Sequence, residues 1–321
     1  MHKTNTYLKN EKVILELPNS VSLNILDSLT DAIIPLWKKK EKKFNQIVLD
    51  LSKIKYIEPE GALAIVCFCA AIKYKNPDLN FHFIYPNDNV LTYLANLGFF
   101  SQMSTKVGII EGQNIIHYES ELKQKRRVRQ KQFYTDDILR PIILPIETIP
   151  QQIDTISGRD FENMSITFVN NAINTFKQIF SSPHYNFSGS DQHDFLLSNR
   201  ELYRNTFEHS TSWGIAVIHS RPNHGTQVCF YDIGIGFKGS VAKFQTDLQS
   251  IEWALIDGNS SKSSEDNDGH GLTVVQNFVL RRNGSITIRS GECMLKINQK
   301  TKTPHKVNRF PGVQLSYFIP V

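Results

Sequence analysis

Between residues 11 and 100 short apolar runs alternate with helical stretches, and beyond residue 159 that alternation stops. Strands alternating with helices build a sheet with helical crossovers, whereas helices followed by consecutive strands build an α+β layer pair. One chain with both patterns therefore calls for two cores. Its 321 residues are enough for two ordinary domains. The pattern predicts a small α/β domain over 1–130, a linker over 131–158 and an α+β two-layer domain over 159–321.

In the first domain KVILELP (12–18), QIVLDLS (46–52) and FHFIYP (81–86) read as strands. The stretches 22–40, 58–74 and 87–100 read as helices. The first ends in lysines that suit the negative helix C-terminus. The second carries Pro59 in its first turn, where a missing N–H costs nothing. The third is expected to stop at Gly98. Between the domains, LRPIILPIETIP (139–150) holds three prolines, which suit an edge strand or an extended linker.

Charge and cysteine usage exclude several classes. The net charge of +5 is mild, and part of it sits in KQKRRVRQK at 123–131. No aromatic interleaving or nucleic-acid motif surrounds that run, so nucleic acid is a minor alternative. Cys67, Cys69, Cys229 and Cys293 show no CxxC or zinc spacing and read as small buried side chains. The longest apolar run, 61–72, is too short to span a bilayer, and the N-terminus lacks the apolar stretch of a signal peptide. A cytoplasmic protein is expected.

The second domain opens with a long helical stretch at 158–180, a Ser/Gly loop and a second helix containing RELYRNTFEHS (200–210). Strand-like segments follow at 213–220, 227–233, 285–290 and 313–319, with a polar stretch over 237–268 expected to be a long functional loop. At about 100° per residue, Glu201, Asn205 and Glu208 fall within about 60° of one another, with His209 slightly further round. Phe195, Leu196, Leu202, Tyr203 and Phe207 take the other side. By itself that is an amphipathic helix with a solvated face.

Two glycine motifs change the reading. YDIGIGF puts Asp232 at a strand end followed by Gly234 and Gly236, and DNDGHGLTVV puts Gly269, His270 and Gly271 before an apolar helix that begins Leu272, Thr273. Glycines at a helix start let backbone N–H groups approach a phosphate. A strand-end carboxylate can accept a hydrogen bond from an exocyclic amine such as that of adenine. GIGFKG (234–239) also matches GxGxxG, but no crossover helix and parallel strand follow it, so the dinucleotide context is missing.

Taken in order, these segments resemble the GHKL ATPases, the family of gyrases, mismatch-repair ATPases, histidine kinases and anti-sigma factor kinases. The resemblance covers roughly 160–321 and implies a two-layer (Bergerat-type) sandwich that binds ATP and Mg²⁺. It implies that Asn205 holds the metal and that Glu201 orients or deprotonates the attacking nucleophile. It further implies that Asp232 reads adenine, and that Glu208, His209, Gly234, Gly236, Gly269, His270, Gly271, Leu272 and Thr273 complete the nucleotide site. ALIDGNSS (254–261) looks like lid sequence of the anti-sigma branch. The chain departs from the family at Gly312-Val313, where a Gly-Thr pair often stands.

Residues 11–100 resemble the STAS domains of anti-sigma factor antagonists. The position often held by a phosphorylatable serine is Glu60, before Gly61. A first-turn acid favourable to the helix dipole explains Glu60 without any further role. The two resemblances together imply an ATP-dependent switch acting on a regulatory protein partner, with slow hydrolysis. The alternatives are a serine/threonine kinase acting on a separate protein and a nucleotide-binding scaffold without turnover. Homodimer formation is left open.

Overall fold

The strands of the first half pair as the alternation requires. A computed structural model describes residues 4–9, 12–38, 44–108, 142–149, 188–221, 224–241, 243–256, 258–259 and 271–320. They fall into two units, Met1–Asp137 and Ile138–Val321. Among the described residues there are eight helices, and none is long and apolar enough to cross a membrane. The architecture is mixed α/β.

The first unit runs β1 (Asn5–Lys9), β2 (Lys12–Glu16), β3 (Ser20–Val21), α1 (Ile25–Lys38), β4 (Gln46–Asp50), β5 (Tyr56–Ile57), α2 (Pro59–Lys75), β6 (Asn80–Ile84), α3 (Asp88–Leu97) and α4 (Phe99–Val107). Four strands form one sheet in the order β1-β2-β4-β6, and β3 pairs with β5 separately. β2, β4 and β6 are parallel, because α1 and α2 supply the crossovers that parallel pairing needs. β1 returns antiparallel to β2 and was not foreseen from sequence. Val13, Leu15, Ile47, Leu49 and Phe81 alternate inward and are buried. Helix α2 is buried almost all round, from Gly61 to Cys69 and beyond, so its sequence lacks a polar stripe. Gly61 is fixed by packing, since a Cβ there would lie 2.7 Å from the Val21 carbonyl oxygen.

The helix expected to stop at Gly98 does so, and an unforeseen helix follows it directly. Gly98 takes φ 76° and closes α3, and Phe99 immediately opens α4. Phe99, Phe100 and Met103 are buried, so α4 is held by its apolar face although a glycine precedes it.

The second unit runs β7 (Ile142–Ile149), α5 (Gly189–His209), β8 (Gly214–Arg221), β9 (Gly225–Asp232), α6 (Gly236–Ser240), α7 (Asp247–Ala254), α8 (Gly271–Arg281), β10 (Ser285–Asn298) and β11 (Lys302–Pro320). All neighbours in its sheet, β10-β11-β9-β8-β7, are antiparallel. The proline-rich stretch placed in the linker thus supplies the edge strand β7, so the expected linker 131–158 carries part of this sheet. Edge position leaves a missing N–H harmless. The polar stretch 237–268 is also corrected, because α7 lies within it and α6 runs into it. The expected helix at 158–180 and the basic run at 123–131 lie outside the described residues.

One face of the sheet carries Ala216, Ile218, Val228, Phe230, Ile286, Ile288, Leu315, Tyr317 and Ile319. Phe195, Leu202, Tyr203 and Phe207 of α5 and Val275, Phe278 and Val279 of α8 pack onto them in one core. The amphipathic split read from the sequence of α5 is therefore the split observed, with Leu196 partly buried at its margin. Asn199 locks the helix to the sheet: it accepts from the Tyr317 hydroxyl at 3.0 Å and donates to the Phe195 carbonyl at 2.8 Å. Net, such a buried bond contributes about 1 kcal/mol, but its loss would strand a polar group.

Candidate nucleotide site

Helices α5 and α8 run antiparallel. Ser188 and Asp191 form a capping box at the start of α5. Asp191 and Asp194 meet Arg281 of α8 at 3.3 and 2.6 Å, and Asp191 also meets Arg282 at 3.5 Å. This joins the beginning of one helix to the end of the other. The opposite ends must then meet, and they do. A Cβ placed on Gly271 would lie 3.0 Å from Glu201 Oε2 and 3.3 Å from Asn205 Nδ2. The first turn of α8 therefore starts directly over the acid and amide that stand one turn apart on α5. First-turn N–H groups have no partner within their own helix, which makes this end suited to an anion.

Asp232 is brought to the same half of α5. It ends β9 opposite Gly214, the first residue of β8. A Cβ on Gly214 would lie 2.2 Å from Thr206 Cγ2 and 3.7 Å from Asp232 Cβ, so Asp232 sits next to the residue after Asn205. The turn that follows closes on the end of α5. Ile235 N–H donates to the Ser210 carbonyl at 3.1 Å. A Cβ on Gly234 would lie 1.5 Å from that same oxygen, so no other residue fits there. Gly236, at φ 70°, opens α6, and Ser290 Oγ accepts from the Phe237 N–H at 3.1 Å.

The Asp232 side chain is buried, and its Oδ1 accepts from the Gly234 N–H at 2.9 Å. The Val313 N–H donates to the same carboxylate. Burial pushes this carboxyl up from its ordinary 3.8 to about 7, with the two N–H donors pulling against it. Two donors leave the carboxylate with lone pairs for a further donor. Gly312 has φ 77°, and a Cβ there would lie 2.5 Å from Asp232 Oδ1. Gly312 thus stands against the aspartate in the left-handed conformation, and Val313 contributes its main-chain donor.

The remaining expected residues divide. Leu272 is buried in the core, where it packs rather than lines a polar site. The Thr273 hydroxyl donates to the Leu255 carbonyl at 3.3 Å and so ties α8 to the end of α7. Gly269 and His270 lie outside the described residues, as do the side chains of Glu208 and His209. Sequence reasoning missed Ser210, Ser290 and Gln314, which the fold places around Asp232, Gly234 and Gly236. The signal for Gln314 was a lone amide in an apolar strand, VQLSYFI.

Among the described residues no group of three or more His, Cys, Asp or Glu side chains is arranged to hold a metal. No family model matches the sequence, and no curated protein matches it.

Proposed function

We propose that the second unit is an adenine-nucleotide site of the GHKL kind and that the protein is an ATP-binding regulator. In this reading it is a slow Mg²⁺-dependent ATPase that acts as a nucleotide-controlled switch for a partner protein in the cytoplasm. The observation that carries the reading is the meeting of Gly271 with Glu201 and Asn205, on the half of α5 that also adjoins Asp232. Three segments up to 70 residues apart in sequence (201 to 271) supply an acid, an amide, a helix start and a strand-end carboxylate to one place.

The roles follow from chemistry. Asp232 accepts a hydrogen bond from the adenine amine, and the first turn of α8 faces the phosphates. The Asn205 amide oxygen would be the protein ligand for Mg²⁺, which when bound would supply positive charge against the phosphate oxygens. Glu201, one turn away on the same helix, takes a proton from the attacking water. Glu60 favours water over an internal hydroxyl acceptor: it occupies the first turn of α2, where STAS domains often carry serine, and cannot be phosphorylated. The first unit is then a STAS-like regulatory module without that acceptor.

Calorimetric titration tests the base assignment. Guanine presents a carbonyl where adenine presents an amine, and facing that oxygen to Asp232 costs about 1–3 kcal/mol, so ATP should bind roughly 5- to 150-fold more tightly than GTP. Equal affinities would contradict the role of Asp232. The same titration across pH should show ATP affinity falling as pH drops through about 7, because the protonated acid is a weaker acceptor for the amine than the carboxylate. Stability runs the other way. The raised carboxyl binds its proton more tightly in the folded state, so this group weakens the fold above pH 7 and the penalty fades as pH falls toward 3.8.

A further inference from the structure

We propose that Gln314 is a positioning residue that sets the adenine preference of this site by holding Asp232 and the Pro311–Gly312 turn together. The inference rests on the reading of Asp232 as the adenine acceptor. Gln314 lies in β11 between Tyr231 of β9 and Arg289 of β10, and it is fully buried. Its Nε2 donates to the Asp232 carbonyl at 3.1 Å and to the Pro311 carbonyl at 3.0 Å. The orientation is fixed by its acceptors, since a flipped amide would set oxygen against two carbonyl oxygens.

Those two carbonyls lie on either side of the contact that shapes the carboxylate. Gly312 stands against Asp232 Oδ1, and the next residue, Val313, supplies one of its two N–H donors. One side chain therefore fixes the end of β9 relative to the turn that orients the aspartate. The arrangement is not the best one for stability alone. Gln314 Oε1 is buried without a hydrogen-bond partner among the described residues, a penalty that an apolar side chain of similar size would avoid. What Nε2 holds accounts for an amide here. With it in place, the remaining lone pairs of Asp232 keep one direction, and discrimination between an amine and a carbonyl depends on that direction.

The test is Gln314→Met, which keeps the volume and removes the donor, titrated with ADP and with GDP in the 321-residue chain. ADP affinity should fall about tenfold with GDP affinity unchanged, so that the preference shrinks by the same factor. A lower Tm with an unchanged ADP-to-GDP ratio would show a merely structural role and overturn the proposal. Wild-type protein that binds neither nucleotide would overturn the adenine reading and this proposal with it. Wild type that binds ADP, with an indifferent variant, overturns this proposal alone. Should the variant fail to fold, the Gln314 side-chain NH₂ signals of ¹⁵N-labelled wild type provide the measurement. They should shift on saturation with ADP, and signals indifferent to ADP would overturn the assignment.

Discussion

In Glu201→Gln, ATP turnover is expected to fall by about 10²–10⁴ while nucleotide affinity changes little. A general base acts on the proton transferred in the transition state, so removing it raises the barrier more than it weakens the ground-state complex. The glutamine keeps the size and polarity of the side chain. Glu201 lies on the polar side of α5, while Leu202, Tyr203 and Phe207 make the core. Single-turnover kinetics beside a binding titration separates the two quantities. A variant whose turnover equals that of wild type would remove Glu201 from the chemistry.

Asn205→Ala should abolish the Mg²⁺-dependent part of ATP binding and leave the far-ultraviolet circular dichroism unchanged. The side chain is half-buried beneath the start of α8, and alanine is the best helix former. The fold therefore gives no reason for an asparagine at this position, and the helix itself would gain by the replacement. If the variant binds ATP·Mg²⁺ as wild type does, the polar side of α5 is only a solvated surface. Binding without Mg²⁺ is the internal control, because contacts to the base through Asp232 do not involve Asn205.

The two sides of α5 were legible because a helix repeats every 3.6 residues, so residues 201 and 205 share a direction whatever surrounds them. The glycines at 234 and 271 were legible for a different reason: each marks a close approach, to Ser210 and to the Glu201–Asn205 pair respectively. What the approach is to cannot be read locally. Gln314 acts through Asp232, 82 residues away, and only strand pairing makes them neighbours. The same holds for β10 and β11, expected over 285–290 and 313–319 and in fact far longer. Gly291, at φ 59°, breaks the apolar alternation, and Asp247 Oδ2 receives the Glu292 N–H at 3.0 Å across the break. Helix α7 is another matter, since Thr246 and Gln249 form a capping box that the sequence displays. The charged and amide residues around it favoured a loop reading, but Ser250, Ile251 and Leu255 are buried.

The most direct measurement is incubation of the 321-residue chain with γ-labelled ATP and Mg²⁺, with and without cell lysate, scoring free phosphate against labelled protein. Slow release of free phosphate, dependent on Mg²⁺ and lost in Glu201→Gln, is the predicted result. Label appearing on a lysate protein without free phosphate would contradict the hydrolytic switch and assign a protein kinase instead. Neither free phosphate nor labelled protein would contradict the catalytic role of Glu201 altogether.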